Sequence, residues 1–277
     1  MWSAGSYAPA VPRLEDQAVV LRVAEYSESS QIVALLGRRV GRFRGLARGS
    51  TRVSPSSVAR FSGGLWLCHI GGVTASTGGQ AELASITGWD LLRDHWGLRT
   101  SFTRQAMAMM AVELVDAMLP EFDPHPHVYD WLAELLDGLA DPAPEAPAGD
   151  AAHRAALLRF LWRVLDAAGY RPDLDADIAS GEALPADATT SFRPGEGGFT
   201  ADRGVTQWRV RASTRALLRG LADEATRAQP VPLYPAAEPA DAATVERALR
   251  LLGSYTRILL DRELHAMRAV LGDVGGA

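Results

Sequence analysis

The side chains best suited to chemistry in this sequence are six arginines in the sixteen positions GRRVGRFRGLARGSTR, from Gly37 to Arg52. The segment contains no acidic residue, although the whole chain carries a formal net charge of −5. Because like charges repel, this concentration indicates that a negatively charged ligand lies against it. All 28 basic residues of the chain are arginines, so an arginine here counts only as a basic residue. The candidate residues for binding the negative ligand are Arg38, Arg39, Arg42, Arg44, Arg48 and Arg52.

A second group of reactive side chains lies in EFDPHPHVYD, residues 121–130. Its members are of types that bind metals: Glu121, Asp123, His125, His127 and Asp130. Such a set could serve a metal-dependent hydrolase. The two histidines follow prolines just before an amphipathic helix, and no second cluster of acids and histidines supports a catalytic site. The hydrolase remains an alternative.

Charge distribution and cysteine content narrow the class of protein. No acidic residue occurs between Glu28 and Glu82, a span with seven arginines, so the basic field is local. Cys68 is the only cysteine, which excludes an internal disulfide and fits a reducing cytoplasm. No apolar run has the length of a membrane span and the amino terminus lacks a signal-peptide pattern. We therefore expect a cytoplasmic protein with a flexible tail at residues 1–14.

Short β-rich runs separated by glycine, serine and proline occupy residues 18–86. They predict five strands: AVVLRVA (18–24), QIVALL (31–36), RFRGLA (42–47), LWLCHI (65–70) and QAELASI (80–86). Five strands in about seventy residues predict a small barrel. Alternation along the third run puts Arg42, Arg44 and Arg48 on one face of a strand, so we expect these arginines to point outward together.

After Trp89 the apolar residues recur at helical spacing. The stripes predict helices over 102–119, 128–139 and 156–165, and a long last helix that begins at about Ala242 and carries Arg268. A proline- and alanine-rich linker occupies residues 141–150. Residues 173–210 are polar and contain glycines, which predicts an insertion between helices with little core of its own.

A five-stranded barrel followed by helices, with a basic run on its second and third strands, is typical of proteins that bind single-stranded nucleic acids. Such barrels follow the phosphate backbone with a cationic groove and stack bases on aromatic rings. Phe43, Phe61 and Trp66 are the aromatic candidates for stacking. We interpret them as core or interface residues instead, because barrel interiors need large side chains.

The passage VVLRVAEYSESSQIVALLGRRVGRFRGLARGSTR (19–52) resembles the amino-terminal domain of the bacterial recombination mediator family RecO. The positions that match the family pattern are Tyr26, Glu28, Ser29, Ile32, Val33, Leu35, Gly41, Arg42, Ala47, Arg48, Gly49 and Arg52. The resemblance continues in ELASITGWDLLRD (82–94), ELVDAMLPE (113–121), HVYDWLAELLDGL (127–139), RFLWRVLDAAGYRPDLD (159–175) and LLDRELHAMR (259–268). It thus covers nearly the whole chain.

The resemblance implies an α+β protein with no catalytic centre and no cofactor. It implies an OB-fold β-barrel over 15–88 and an all-α domain over 89–277, with a degenerate zinc-knuckle insertion at 173–210. RecO proteins bind single- and double-stranded DNA, anneal complementary strands, contact the tail of single-stranded-DNA-binding protein (SSB), and act with RecR to load the recombinase RecA. The six arginines would then face DNA at the nucleoid. A protein-binding scaffold with little DNA affinity is the other non-enzymatic reading.

The zinc knuckle of many family members is not preserved. Where the family pattern places cysteines, this chain has Asp177, Ser180, Ala201 and Gly204. A structural zinc needs about four thiolate or imidazole ligands, and residues 173–210 contain neither cysteine nor histidine. We expect the insertion to fold without a metal.

Two further surfaces are predicted. The SSB tail, which is acidic and ends in phenylalanine, requires an apolar pocket edged by arginine, and the candidates are Arg99, Phe102, Arg104 and Met107. The alternative is that Arg99 and Arg104 are ordinary surface arginines. Arginines on one arc of the last helix form either a solvated face or a second basic patch that holds another strand during annealing. These are Arg247, Arg250, Arg257 and Arg268.

Overall fold

The structure, a computed structural model, describes residues 13–77, 83–141, 149–202, 208–225, 227, 231–235 and 241–272. The chain divides into two compact units. The first contains the residues up to Asp94 together with Pro120–Tyr129, and the second contains His95–Leu119 and the residues from Asp130 onward. The predicted tail lies outside the described residues as far as position 12, and residues 13 and 14 already belong to the first strand. Most of the predicted linker also lies outside them.

The first unit is built on a β-barrel. Its elements are β1 (Arg13–Ser27), β2 (Ser30–Gly37), β3 (Gly41–Ala47), α1 (Pro55–Arg60), β4 (Phe61–Ser62), β5 (Ile70–Ser76) and β6 (Ala84–Arg93). Strands β1, β2 and β3 form an antiparallel meander, and β5 pairs with both β1 and β6. A short parallel pairing of β3 with β6 closes the five long strands into a barrel. The predicted OB-like barrel is confirmed.

Side chains from every barrel strand fill the interior. The buried core consists of Ala18, Val20, Val33, Leu35, Phe43, Ala47, Phe61, Leu65, Val73, Ala75, Ala84, Ile86 and Trp89. Phe43 and Phe61 are therefore core residues, as expected. Burial of a large apolar side chain contributes about 1.5–3 kcal/mol to folding, so these rings stabilise the barrel.

Two of the five predicted strands differ from the structure. The fifth, 80–86, overlaps β6 only at residues 84–86, and its residues 80–82 lie outside the described part of the chain. The fourth, 65–70, is wrong. Residues 65–69 form turns and β5 begins only at Ile70, because Cys68 adopts a left-handed backbone conformation with φ of 66°. Gly71, expected to end the strand, lies inside β5 instead. The indole of Trp89 occupies the space of a side chain there, since an added Cβ would lie 2.6 Å from its Cζ2 atom.

The second unit is mainly helical. It contains a 3₁₀ turn (Trp96–Thr100) and the helices α2 (Phe102–Met118), most of α3 (Pro126–Ala140), α4 (Gly149–Ala167), α5 (Ala212–Ala225), α6 (Ala242–Leu259) and α7 (Met267–Leu271). Helix α4 packs against α2, α5 and α6, and α7 packs against α2 and α6. Helices are present in all four regions where the apolar stripes predict them. Within the described residues, no helix combines the length and apolar character needed to cross a membrane.

The last helix is shorter than predicted. Asp261 has a left-handed φ of 50°, and the amide of Arg262 donates to the Arg257 carbonyl at 3.2 Å while that of Asp261 donates to Ile258 at 3.2 Å. These two bonds form a Schellman motif, which ends α6. Arg268 therefore lies on α7, and the four arginines of the predicted second patch do not share one helix.

The insertion forms a small sheet in the order β10-β8-β9-β7. Its strands are β7 (Asp173–Asp177), β8 (Thr190–Arg193), β9 (Gly198–Ala201) and β10 (Arg209–Val210). Phe192 and Phe199 are buried with ring centroids 4.9 Å apart, and Tyr255 of α6 meets Phe192 edge-on at 5.2 Å. The expectation of little core is wrong, because an aromatic cluster joins the sheet to α6.

Candidate nucleic-acid interface

The six arginines of the basic run follow the length of β3. In chain order they are Arg38 and Arg39 in the turn before β3, Arg42 and Arg44 in the strand, and Arg48 and Arg52 in the segment after it. Seven residues of extended chain span about 20 Å, so the arginines form a line along the barrel. The prediction that Arg48 continues the strand face is wrong, because β3 ends one residue earlier.

Arg42 and Arg44 do share one face of β3, but a single carboxylate neutralises both. Glu121 Oε1 lies 2.7 Å from Arg44 Nε and 3.5 Å from Arg42 Nη2. The side chains of Arg42 and Arg44 are 15% and 39% exposed, and that of Glu121 is 28% exposed. The pair is therefore only partly available to an incoming phosphate.

The backbone around Glu121 is attached to the edge of β3. The amide of Phe122 donates to the carbonyl of Arg42 at 2.7 Å, and its ring stacks on Phe43 with centroids 6.2 Å apart. Gly41 permits this close approach, since an added Cβ would lie 2.1 Å from the carbonyl oxygen of Asp123. Glu121 is thus held in place by backbone as well as side-chain contacts.

The arginines before β3 border a buried carboxylate. Asp16 accepts hydrogen bonds from the backbone amides of Arg39 (2.7 Å) and Val40 (3.0 Å), and its other oxygen lies 3.3 Å from Arg39 Nε. Asp16 thereby fixes the turn between β2 and β3. The Arg39 side chain is otherwise largely exposed, and Arg38 is exposed beside it.

The arginines after β3 form the most available cationic group. Arg48 and Arg52 are exposed, and neither has a side-chain partner among the residues that the structure describes. Arg60 of α1 joins them: its Nη2 atom lies 3.4 Å from the position that a Cβ on Gly49 would take. We call Arg48, Arg52 and Arg60 the turn cluster. Arg60 is absent from our six candidates, although it is the seventh arginine of the acid-free span.

Trp66 differs from the other aromatic residues of the first unit. It lies in the turn before β5 and is 56% exposed, so of the two interpretations, core or interface, the structure excludes the core. Its Nε1 atom packs over Gly64, which has a left-handed φ of 73° and where an added Cβ would lie 2.7 Å away. An exposed indole can stack on a nucleobase.

The residues suggested for an SSB-tail pocket do not all reach the surface. Phe102 is 74% exposed, and the guanidinium of Arg99 lies 3.6 Å from the ring centroid of Trp96. Arg104 donates to the carbonyl of Asp141 at 2.9 Å. Met107, in contrast, is fully buried, so it cannot line a surface pocket.

The second basic patch is only partly assembled. Arg247 and Arg250 line one small pocket with residues of β10 and α5. Arg257 lies farther along α6 and does not line that pocket. Arg268 lies on α7, 3.8 Å from the carboxylate of Glu263.

In the insertion, Asp177 holds three backbone amides together. Its buried carboxylate accepts hydrogen bonds from the amides of Ala179 (2.8 Å), Ser180 (3.3 Å) and Ala201 (2.9 Å). Two of these donors occupy positions where the family pattern has cysteines, and Gly204 lies outside the described residues. One carboxylate with serine and alanine does not fit a tetrahedral zinc site.

The other residues considered for chemistry have structural partners. Glu121 faces arginines, and Asp123 Oδ2 lies 3.1 Å from His125 Nε2. Within the described ranges, no group of three or more histidine, cysteine or acidic residues could hold a metal. Burial raises the pKa of Cys68 to about 12, which keeps this thiol protonated and unreactive at neutral pH.

Two family models match this chain. Recombination protein O N terminal matches residues 12–94, and Recombination protein O C terminal matches residues 99–268. DNA repair protein RecO of Anaeromyxobacter sp. (strain Fw109-5) is 33% identical over 186 residues, which is 67% of this chain and 68% of that relative. DNA repair protein RecO of Geobacter metallireducens is 33% identical over 183 residues, 66% and 68% of the two chains. That of Syntrophobacter fumaroxidans is 30% identical over 168 residues, 61% and 62% of the two chains.

Proposed function

Because this chain belongs to the RecO family of DNA repair proteins, we propose that it is a DNA-binding recombination mediator rather than an enzyme. It binds single- and double-stranded DNA through phosphates and without sequence selection. The observation that carries this proposal is the turn cluster: Arg48 and Arg52 are exposed in the segment after a barrel strand, and the guanidinium of Arg60 lies against Gly49 of the same segment. Of these three arginines, only Arg60 has a side-chain contact among the described residues, with the ring of Phe61 at 5.4 Å, and such a concentration of cations suits a polyanion.

DNA follows β3 from the turn cluster toward Arg38 and Arg39. Phosphates contact the exposed guanidinium groups first, because Arg42 and Arg44 are already paired with Glu121. Contacts of this kind release counterions and supply affinity that depends steeply on salt. Trp66 offers an aromatic face on which a base can stack whatever its identity.

Membership of the family supports a proposal for the partners. The protein anneals complementary strands, acts with RecR to load the recombinase RecA, and contacts the acidic tail of SSB, in the cytoplasm at the nucleoid. Phe102 and Arg99 remain suited to the tail, since one is an exposed aromatic ring and the other a cation. Met107 has no part in that contact.

A salt titration of the wild-type protein tests the main proposal. A fluorescent single strand of mixed sequence is titrated at several salt concentrations, and log K is plotted against log salt. We expect a linear fall of about 0.7 per phosphate contact, with a similar slope for an unrelated sequence. Affinity that is absent even at low salt would instead support a protein-binding scaffold. Metal-dependent cleavage of the strand would support the hydrolase.

A further inference from the structure

One small pocket of the second unit combines positive charge with an apolar lining. It has a volume of about 260 Å³ and lies between β10, the start of α5 and the middle of α6. That is just below the range of about 300–1,000 Å³ that is usual for drug-sized ligands. The pocket therefore has room for a single base or a single amino-acid side chain.

Arginines dominate the polar part of the lining. They are Arg209, Arg211, Arg247 and Arg250, and none of the described residues that line the pocket is acidic. Arg209 is paired with Asp202 at 2.7 Å and Arg250 with Glu246 at 3.0 Å. Arg211 is exposed and has no side-chain partner within the described part of the chain. At least one cation of the pocket thus lacks a counter-ion.

Arg247 is held in place by neutral groups. Its Nη2 atom lies 2.6 Å from the hydroxyl of Thr244, and its Nε atom lies 3.4 Å from that of Thr214. The nearest carboxylate is that of Asp241 at 4.0 Å. The hydroxyls orient the guanidinium, and the long ion pair with the exposed Asp241 neutralises it only in part, so Arg247 is a preorganised cation that a further anion would stabilise.

The apolar part of the lining includes an aromatic ring. Trp208 is half-buried and packs on Phe192 with centroids 6.1 Å apart, and Val210 and Leu251 are buried beside the pocket. Because Phe192 is itself fixed by Phe199 and Tyr255, the indole is supported by a rigid cluster. An aromatic ring next to guanidinium groups is the combination that binds a base and its phosphate.

We propose that this pocket holds one nucleotide of a second DNA strand during annealing, with the base against Trp208 and the phosphate on Arg211, Arg247 and Arg250. The proposal rests on the proposed function and adds a site to it. The turn cluster holds the first strand in one unit, and the pocket holds the second strand in the other. The degenerate insertion supplies one wall of the site through β10.

Photo-crosslinking tests occupancy directly. An oligothymidine with one 5-iodouracil is irradiated with the full-length protein, and the crosslinked peptide is identified by mass spectrometry. We expect a crosslink at Trp208 that falls about tenfold in the variant R211A/R250A, because two of the three arginine contacts that retain the phosphate are removed. Crosslinks confined to other residues, or unchanged in the variant, would overturn the proposal.

Annealing kinetics test the role of the site. The rate at which two complementary fluorescent strands anneal is compared with the affinity for one strand, in wild type, R211A/R250A and the control R257A. Arg257 lies on the same helix but outside the pocket. We expect R211A/R250A to slow annealing about tenfold while its affinity for a single strand changes less than about twofold. R257A should leave both the annealing rate and the affinity close to those of wild type. Equal annealing rates for R211A/R250A and R257A would overturn the proposal that the pocket holds the second strand.

The remaining outcomes are also decisive. If wild type binds no DNA, both this proposal and the proposed function fail together. If wild type binds and anneals but the pocket variant is normal, only this proposal fails.

A short acidic peptide ending in phenylalanine serves as the competing probe. If that peptide binds wild type but not R211A/R250A, and the oligonucleotide does not compete with it, the pocket belongs to a protein tail and the nucleotide is excluded.

Discussion

Glu121 accepts a hydrogen bond from Arg44 Nε at 2.7 Å, although 77 residues separate the two in sequence. The same carboxylate oxygen also lies within 3.5 Å of Arg42. Glu121 therefore acts as an internal counter-ion for the middle of the basic line. A phosphate that approaches β3 must compete with it.

Replacing the counter-ion should strengthen DNA binding. In Glu121→Gln the amide keeps the shape of the carboxylate but loses its charge, so Arg42 and Arg44 become available to phosphates. An exposed ion pair is worth up to about 1 kcal/mol, which corresponds to an affinity gain of about threefold to fivefold. Fluorescence anisotropy with a single strand measures it, and the dependence on salt should become steeper.

The control for this variant is Glu25→Gln, which removes one exposed negative charge from β1 of the same unit. It should raise affinity less, because it releases neither arginine. Equal gains in the two variants would mean that only the net charge matters, and Glu121 would then have no specific effect.

The turn cluster should contribute more to DNA binding than the arginines of β3. Changing all of its members to alanine should reduce affinity for every sequence and flatten the slope of log K against log salt by about 0.7 per lost contact. The double variant R42A/R44A should have a smaller effect because Glu121 already occupies these side chains.

A matched triple variant controls for net charge. Arg171, Arg193 and Arg262 are exposed arginines of the second unit, and their change to alanine alters the formal charge by the same amount. It should leave the slope nearly unchanged. A larger loss in R42A/R44A than in the turn-cluster variant would assign the main contacts to the strand face.

Local patterns predicted the elements well where local physics decides them. Helix α6 begins at Ala242, as predicted, and Asp241 accepts a hydrogen bond from the amide of Thr244 at 3.0 Å as its N-cap. The end of α6 was not predictable from the usual signal, because its left-handed residue is Asp261 and glycine is the common choice there. The predicted second basic patch assumed that α6 continues to Arg268, and that assumption was wrong because the helix ends at Leu259.

Long-range pairings set the limits of the site prediction. Arginines along β3 are visible in the sequence, but nothing in their spacing indicates that Glu121 neutralises two of them. Gly71 was equally ambiguous, since a glycine that accommodates Trp89 inside a strand looks the same in sequence as one that ends a strand. Contacts of this kind depend on packing between distant segments, and the spacing of residues along the sequence does not predict such packing.

Asp177 should stabilise the insertion. In Asp177→Ala, three backbone amides lose a buried acceptor, at a cost of about 1–3 kcal/mol in the free energy of unfolding. Denaturant unfolding measures the difference. Asp187→Ala, an exposed change in the same insertion, should stay within about 0.5 kcal/mol of wild type. If both changes lowered the free energy of unfolding equally, Asp177 would have no specific role in stabilising the insertion.

Zinc should not contribute to stability. The cysteine positions of the family pattern that the structure describes carry Asp177, Ser180 and Ala201, and a single carboxylate does not hold zinc. A chelator should leave both the melting temperature and the DNA affinity unchanged, and elemental analysis should find less than stoichiometric zinc. One tightly bound zinc per chain would contradict this prediction.

Stability should fall on mild acidification because of His153. Burial lowers the pKa of His153 below its ordinary value of 6.5, and the nearby guanidinium of Arg104 lowers it further against the opposing effect of Asp150. The unfolded chain therefore takes up a proton at a higher pH than the folded chain. The stability that neutral His153 contributes is present above pH 6.5 and is lost as the pH falls toward the pKa of the folded state.

In His153→Gln the amide can still bond to the hydroxyl of Tyr234, which lies 3.3 Å from the imidazole, but it cannot titrate. The free energy of unfolding, measured with denaturant between about pH 7 and pH 5, should decline more steeply for wild type than for the variant. Parallel curves would mean that other groups account for the acid sensitivity.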